Sequence, residues 1–331
     1  MKSPATGKDM VINKEWKKLP FRKEEYDVLF HTWRCVDSGQ EFEDDSFANL
    51  NYNQVVNQYR EKHNIPFPED IKAIRKQYKL PAIKMSKVLG LGDNTYRQYE
   101  AGEIPTEANG RLIQMSADPK KFLEMLHLSD IDDERSKNKA IANAEKLIKQ
   151  EDSRMDAIQD YIFGRKVRTR YTGYSLPDFD KFTEMILFFS TGNGVWKTKL
   201  NKLLFYADFA FYKLHGRSIS GATYCAIDMG PVPDNFSTIY EKLVKEGVLN
   251  VSFTAFPSGG VGEKYTLNKN FNDSSFTPEE IKTLHEVKEK LKYLSTREII
   301  ELSHQEEAWT ENIYRKSQPI DYKYAYNLKL F

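Results

Sequence analysis

Apolar positions recur every three or four residues along most of the chain, while alternation with polar positions is confined to short stretches. Helical spacing is clearest at 68–78, 179–189 and 195–214. Segments typical of strands are brief and lie at 10–12, 26–33, 223–227, 248–256 and 263–267. This pattern predicts a mainly α fold with small β elements, of the α+β class.

Changes in the pattern divide the chain into four predicted segments. A chain of 331 residues with 40% hydrophobic residues can bury more than one core. A charge run followed by a polar helix indicates a connector, and we expect the parts on either side of it to fold independently. The segments are a β-rich module at 1–46, a helical domain at 47–127, a helical connector at 128–174, and a helical domain with a short β-hairpin at 175–331.

Three short helices with abrupt ends are predicted within 68–105. Pro68 and the two acidic residues after it favour a helix N-terminus. The second helix, predicted over 82–89, ends at Gly90, and Asp93 is a suitable N-cap for the third. Ser86 is small where two helices must approach closely. These helix starts and ends predict a helix-turn-helix within the 47–127 domain.

The third helix is expected to present its first turn to solvent. Its inward-facing apolar residues leave Asn94, Thr95, Arg97 and Gln98 outside, where a recognition helix contacts base edges. All charged residues between 71 and 92 are basic, in a chain whose net charge is only +1. We therefore predict a DNA-binding surface that also includes Lys84 and Lys87. The alternative is a solvated helix pair that serves only for packing.

Residues 65–127 resemble the Cro/repressor (XRE) type of helix-turn-helix. The run TYRQYEAGEIP is similar to the end of that family's recognition helix and the turn that follows it. The resemblance implies promoter DNA as a partner. It also implies that the protein binds an inverted repeat as a homodimer.

The N-terminal module has the outline of a zinc ribbon without its ligands. Ser3-Pro4-Ala5-Thr6-Gly7 and Cys35-Val36-Asp37-Ser38-Gly39 stand where two Cys-x-x-Cys turns would lie. The layout resembles the N-terminal zinc module of MqsA-type antitoxins, which also precedes an XRE helix-turn-helix. One thiolate cannot hold a structural zinc, so we predict a metal-free module stabilised by aromatic packing. The alternative is an unrelated β-hairpin with a chance cysteine.

The composition favours a cytoplasmic protein with no membrane partner. No stretch approaches the roughly 20 apolar residues that span a bilayer, and the polar start lacks the apolar region of a signal peptide. Cys35 and Cys225 lie far apart in the chain, as expected of reduced thiols.

Two runs of the C-terminal part, KLNKLLFYADFAFYKLHGRSISGATY and MGPVPDNFSTIYEKL, follow one another closely. Together they resemble the Panacea, or SocA-like, domain over 180–325. The resemblance implies an antitoxin of a two-gene toxin–antitoxin operon, whose Panacea domain neutralises a cognate protein toxin by direct contact. Other members of the family resemble protease adaptors or prophage proteins.

Exposed aromatic anchors dominate protein interfaces, so they indicate where a toxin would bind. The candidates are Tyr206, Phe209 and Tyr212 on one helix, and the segment Gly230, Pro231 and Val232. The alternative is that these side chains belong to the core. The run 230–233 is expected to open a helix that reaches Lys245. This helix and the hairpin after it also have the outline of a winged helix, which would be a second DNA-contacting unit.

Catalytic and cofactor motifs are missing from the sequence. Residues 191–198 lack the spacing of a phosphate-binding loop, and the six histidines are scattered. Ser303 and His304 are neighbours in a predicted helix, so their side chains point in different directions. We predict no enzyme activity, no cofactor and no metal.

These expectations combine into one hypothesis, a non-enzymatic, dimeric type II antitoxin. Its helix-turn-helix would bind the protein's own promoter, and its C-terminal domain would mask a toxin. Two alternatives stay open, a transcriptional regulator whose C-terminal domain senses a ligand and a protease adaptor.

Overall fold

The computed structural model describes residues 1–4, 6–129, 131, 133–151, 161–164, 166–256, 259–315 and 318–331. Helices account for about 48% of the chain and small sheets for 16%, so the protein is of the mixed α+β kind that the apolar pattern predicts. The chain forms two compact units. The first comprises Met1–Lys18, Asp27–Gln54 and Ala157–Phe331, and the second comprises Leu19–Tyr26 and Val55–Asp156.

Most of a three-stranded sheet, with the order β1–β2–β3, belongs to the first unit. Its strands and the helix that follows are β1 (Val11–Phe21), β2 (Glu24–Arg34), β3 (Glu41–Phe42) and α1 (Asp45–His63). Two amide side chains fix α1 to β2. Asn51 bonds both backbone groups of His31 at 2.9 Å, and Gln54 bonds those of Leu29 at 2.9 and 3.0 Å. These bonds satisfy backbone groups that would otherwise be buried without partners.

Residues near the two ends of the chain pack together in this unit. The His31 ring lies 5.4 Å from the Tyr326 ring, and Lys14 Nζ donates to the Tyr326 carbonyl at 2.9 Å. A small β module buries too little apolar surface by itself, and here the C-terminal residues supply more. The first compact unit includes residues on both sides of 46 and of 174, where the sequence predicts segment boundaries.

Burial of His31 makes the stability of this unit depend on pH. The residue is 2% exposed. Desolvation, helped by Lys14 and Lys213, lowers the pKa of His31 to about 4, while weaker interactions with Leu29 and Asn51 oppose the shift. An unfolded histidine binds its proton near pH 6.5, so the unfolded state takes up more protons as the pH falls from 6.5 to 4. The free energy of unfolding should fall by up to about 3 kcal/mol across this window.

Urea unfolding of the full chain on either side of the window measures this effect. His31→Phe keeps an aromatic ring between Phe47 and Tyr326, and it should lose less stability on acidification than the natural chain. His127→Gln is the control, because His127 is exposed. An equal loss in the natural chain and in His31→Phe would contradict the role given to His31.

The C-terminal part of the first unit is mainly helical. Its helices are α8 (Phe179–Phe189), α9 (Lys197–His215), α10 (Phe236–Lys245), α11 (Pro278–Leu291), α12 (Thr296–Ser303) and α13 (Glu307–Thr310), with a 3₁₀ helix at Tyr322–Asn327. Helix α9 is buried without a break from Leu200 to Tyr212. It contacts α8, α11, α12 and the 3₁₀ helix, so it forms the centre of the core.

Two small sheets complete this part. One has the order β4–β8–β7, with β4 at Val195–Trp196, β7 at Leu249–Ala255 and β8 at Val261–Leu267. The other pairs β5 (Tyr224–Ile227) with β6 (Gly230–Pro233). The prediction that a helix starts at Gly230 is therefore wrong for its first turn, because 230–233 form a strand and α10 begins at Phe236. A strand of a two-stranded sheet has one unpaired edge, where proline is tolerated.

The second unit consists of short helices around an aromatic core. They are α2 (Pro68–Gln77), α3 (Ala82–Val88), α4 (Thr95–Glu100), α5 (Glu107–Met115), α6 (Pro119–His127) and α7 (Glu134–Glu151). The rings of Tyr78 and Phe122 stack with 3.5 Å between their centroids. Arg22, at the turn between β1 and β2, donates to the Ile104 carbonyl at 2.7 Å and ties this turn to the loop after α4.

Part of the predicted connector, namely residues 130, 132, 152–160 and 165, lies outside the described residues. Within the part of the chain that the structure describes, no helix combines the length and the apolar character that a membrane crossing requires.

Candidate nucleic-acid and protein-binding sites

Helices α3 and α4 are joined by a tight turn that starts at Gly90. Gly90 has a φ of 63°, in the left-handed region that favours glycine, and the next N–H, of Leu91, donates to the Ser86 carbonyl at 2.8 Å. Ser86 is fully buried, and its Oγ accepts a hydrogen bond from the Tyr96 N–H at 3.1 Å. The serine thus permits close approach of the two helices and also bonds the first turn of α4.

Helix α2 is fixed to α4 by an ion pair and a buried tyrosine. Arg75 donates twice to the Glu100 carboxylate, at 2.6 and 3.0 Å, and once to the Leu80 carbonyl at 2.7 Å. The Tyr96 hydroxyl donates to the Ile71 carbonyl at 2.7 Å. Arg75 therefore belongs to the packed structure, and the exposed basic surface consists of the lysines around it.

The predicted DNA-facing residues are accessible on α3, on α4 and in the turn between them. The exposed ones are Asn94, Arg97 and Gln98, and the half-buried ones are Thr95, Lys84 and Lys87. Behind them, the inward-facing Met85, Leu89, Tyr96 and Tyr99 are buried. Lys84 Nζ lies 3.8 Å from an Asp133 carboxylate oxygen, so part of its charge is balanced. The first turn of α4 thus offers two adjacent polar side chains, Arg97 and Gln98.

Two similar turns bring a thiol and three hydroxyls together near the N-terminus. The Gly7 N–H donates to the Ser3 carbonyl at 2.8 Å, and the Gly39 N–H donates to the Cys35 carbonyl at 2.9 Å. Both glycines are left-handed, with φ of 70° and 71°. Thr6 Oγ1 lies 3.4 Å from Cys35 Sγ.

Hydrogen bonds with Ser3, Ser38 and Thr6 lower the pKa of the Cys35 thiol to about 6. The structure thus gathers the four positions that the zinc-ribbon outline singles out. Among the described residues, no three His, Cys, Asp or Glu side chains come close enough together to hold a metal ion. Neutral hydroxyls are poor zinc ligands. Absence of zinc from the purified protein stays a prediction.

The residues predicted to contact a toxin lie in the core. All six are buried, namely Tyr206, Phe209, Tyr212, Gly230, Pro231 and Val232. The Phe209 ring stacks on Tyr322 at 4.3 Å, and the Tyr206 hydroxyl bonds Glu306 at 3.2 Å. This burial favours the alternative interpretation, that these side chains hold the domain together.

A buried carboxylate on α9 organises the loop that follows the helix. One oxygen of Asp208 accepts hydrogen bonds from the Ile219 and Ser220 N–H groups at 2.8 and 2.9 Å. The other accepts from the Ser220 hydroxyl at 2.6 Å and the Tyr224 hydroxyl at 2.8 Å. Burial raises the pKa of Asp208, although these four bonds act in the opposite direction. The carboxylate therefore joins α9 to the loop and to β5.

A second buried charge on α9 supports the β5–β6 turn. Lys202 is fully buried, and its Nζ donates to the Pro231 carbonyl at 2.8 Å. Burial lowers the pKa of Lys202 to about 7. A Cβ at Gly230 would lie 2.3 Å from Ser303 Oγ and 2.9 Å from Lys202 Nζ, so only glycine fits there. Ser303 Oγ donates to the Ile300 carbonyl at 2.8 Å, and the His304 ring stacks on Trp309.

Residues 200–310 match a family model described as "Antitoxin SocA-like, Panacea domain". The matched span runs from the first buried residue of α9 to the end of α13, and it includes Lys202, Asp208 and the β7–β8 hairpin. No curated protein and no solved structure matches the chain. This part of the chain is therefore similar to an antitoxin domain, which relates the protein to toxin–antitoxin systems.

Proposed function

We propose that the chain is the antitoxin of a type II toxin–antitoxin pair and that its C-terminal domain neutralises a protein toxin by direct binding. The observation that carries the proposal is the match of residues 200–310 to the SocA-like Panacea family. The match covers the central helix of the core, so it concerns the domain as a whole and not a peripheral motif.

The proposed action involves no catalysis, no cofactor and no metal. Two buried charged groups of the domain are engaged within the fold, through the four hydrogen bonds to Asp208 and the bond from Lys202. A buried group that is hydrogen-bonded in this way stabilises the fold that carries a binding surface, and it is not accessible to a substrate. We place the protein in the cytoplasm, where a type II antitoxin meets its toxin.

Growth rescue tests the proposal on toxin binding. The open reading frame adjacent to this gene is expressed from an inducible promoter, with or without the full chain from a second plasmid whose promoter is unrelated to the operon. Growth should stop without the chain and resume with it. Continued arrest in the presence of soluble, folded chain would contradict the proposal. Rescue that requires an intact cellular protease would favour the adaptor alternative.

We further propose that the protein binds its promoter as a homodimer through α3 and α4. The accessible Arg97 and Gln98 on the first turn of α4 support this, together with the lysines of α2 and α3. Base edges in the major groove are read by such side chains, while lysines bind phosphates regardless of sequence.

The double variant Arg97→Ala/Gln98→Ala should lose sequence-specific binding. Each lost bidentate contact to a base costs about 1–3 kcal/mol, so affinity for the operator should fall at least tenfold. Lys87→Ala should instead weaken binding to every DNA sequence. It should also lower the number of counterions released on binding, which the salt dependence of the affinity measures, by about one.

Gel shifts against the upstream region, at two salt concentrations, separate these effects. Arg297→Ala is the matched control, because Arg297 is an exposed arginine in the other compact unit. The absence of any specific shift with the natural chain would contradict the proposed DNA binding.

A further inference from the structure

Exposed apolar side chains gather on the β7–β8 hairpin. Among the described residues of the matched span, six large apolar side chains are exposed, and three of them belong to this hairpin, Phe253, Phe256 and Val261. Phe253 is 67% exposed and Val261 is 66% exposed. In the strand register Phe253 is opposite Glu263 and Ala255 is opposite Val261. Phe253 and Val261 therefore lie on the same face of the hairpin.

Strand β7 is an edge strand without the usual protection. It is the last strand of the sheet β4–β8–β7, and within the described residues no strand pairs with its outer side. Its sequence, LNVSFTA, contains no charge and no proline, although natural edge strands are commonly blocked by one or the other. Its outward-pointing backbone N–H and C=O groups are thus open to pairing with another strand.

The charge of this face limits the partners that fit it. Glu263 is the sole charged side chain on the face among the described hairpin residues, and it is already bound by Lys197 at 2.9 Å and by the Tyr265 hydroxyl at 2.7 Å. The hairpin lysine, Lys264, lies on the opposite face, beside Trp196. A face without a free cation does not complement DNA phosphates, which disfavours the winged-helix alternative. An uncharged, apolar polypeptide segment does complement it.

The available area argues against a second copy of the chain as the occupant. Seven residues of strand extend over roughly 23 Å, and edge pairing with the exposed side chains would cover on the order of 300 Å² per chain. Stable interfaces bury about 800 Å² per partner. The interface with a different protein does not have to obey two-fold symmetry. Such a protein can pair with β7 and also extend over the face that carries Phe253 and Val261.

We propose that the toxin binds here, through an extended apolar segment that pairs with the free edge of β7 as a fourth strand and covers Phe253 and Val261. Main-chain hydrogen bonds along the edge supply affinity, and the two apolar side chains supply specificity. The inference rests on the proposed antitoxin function and names the surface that performs it, in place of the buried residues that the sequence indicates.

Binding of the purified full chain to the product of the adjacent open reading frame tests the inference. The double variant Phe253→Ser/Val261→Ser should bind at least tenfold more weakly than the natural chain and should fail to rescue growth. Tyr293→Ser is the matched control, because Tyr293 is 86% exposed in the same matched span but is not a residue of the hairpin. Circular dichroism is used to check that each variant is folded. Amide hydrogen exchange of 249–255 should slow when the toxin is added.

The outcomes separate this inference from the proposed function. No binding by the natural chain would overturn the antitoxin function itself. Equal binding by the natural chain and the double variant, without protection of 249–255, would overturn the hairpin surface and leave the antitoxin function standing. Loss of DNA binding or of self-association in the double variant, with toxin binding intact, would assign the surface to DNA or to a second copy and would also contradict the inference.

Discussion

The triple variant Ser3→Cys/Thr6→Cys/Ser38→Cys should bind one Zn²⁺ per chain, whereas the natural chain should bind none. The two turns already have the shared hydrogen-bond pattern and the left-handed Gly7 and Gly39, and they place the side chains of Ser3, Thr6 and Ser38 around Cys35. Restoring three thiolates would complete a Cys₄ set. Structural zinc sites of this kind contribute about 10–16 kcal/mol of apparent binding energy at neutral pH.

Elemental analysis of the purified protein, together with the absorption spectrum of the Co²⁺-substituted form, measures this prediction. Tetrahedral thiolate coordination gives a distinctive cobalt spectrum, and the unfolding temperature should rise with bound metal. Ser3→Cys alone is the control, because two thiols do not complete the site. A folded triple variant without zinc would show that 3–7 and 35–39 only look like metal-binding turns. Zinc in the natural chain would overturn the metal-free interpretation.

Replacement of Asp208 by alanine should destabilise the first compact unit more than any other single change considered above. The substitution leaves two backbone N–H groups and two hydroxyls without their acceptor in a fully buried place. Removing one member of such a buried charged network costs about 3–5 kcal/mol, a large share of the stability of a typical domain.

Urea unfolding of the full chain, followed by circular dichroism, measures the loss. Tyr224→Phe removes one of the four donors and should cost about 1 kcal/mol, which keeps the prediction testable if Asp208→Ala does not fold. Asp273→Ala is the control, because Asp273 is exposed. Equal stability of Asp208→Ala and Asp273→Ala would show that the buried carboxylate does not hold the loop.

The features that can be predicted from the sequence are those that neighbouring residues determine, such as the ends of helices. Helices α2 and α3 lie within one residue of their predicted spans, since Pro68 and Gly90 mark their ends through local backbone preferences. The apolar spacing at 179–189 and 195–214 also predicts helices α8 and α9. The prolines of 230–233 favour a helix start in isolation, whereas pairing with β5 makes this run a strand, and α10 begins only at Phe236.

Contacts between distant residues decide the features that local patterns miss. The packing of His31 on Tyr326 joins opposite ends of the chain, and no pattern near either residue reveals it. Tyr206, Phe209 and Tyr212 look like an interface stripe, yet a helix that is apolar on all sides is buried throughout. The signal for Asp208 was present as one acid within an apolar run, but its partners come from a loop and a strand beyond the helix.

The central claim is that the chain neutralises a toxin by direct contact, and titration of purified full chain into the purified product of the adjacent open reading frame tests it most directly. Calorimetry should show a saturable complex of fixed stoichiometry, and the toxin's activity should fall in proportion to the complex formed. Growth rescue in cells without any complex between the purified proteins would contradict direct neutralisation.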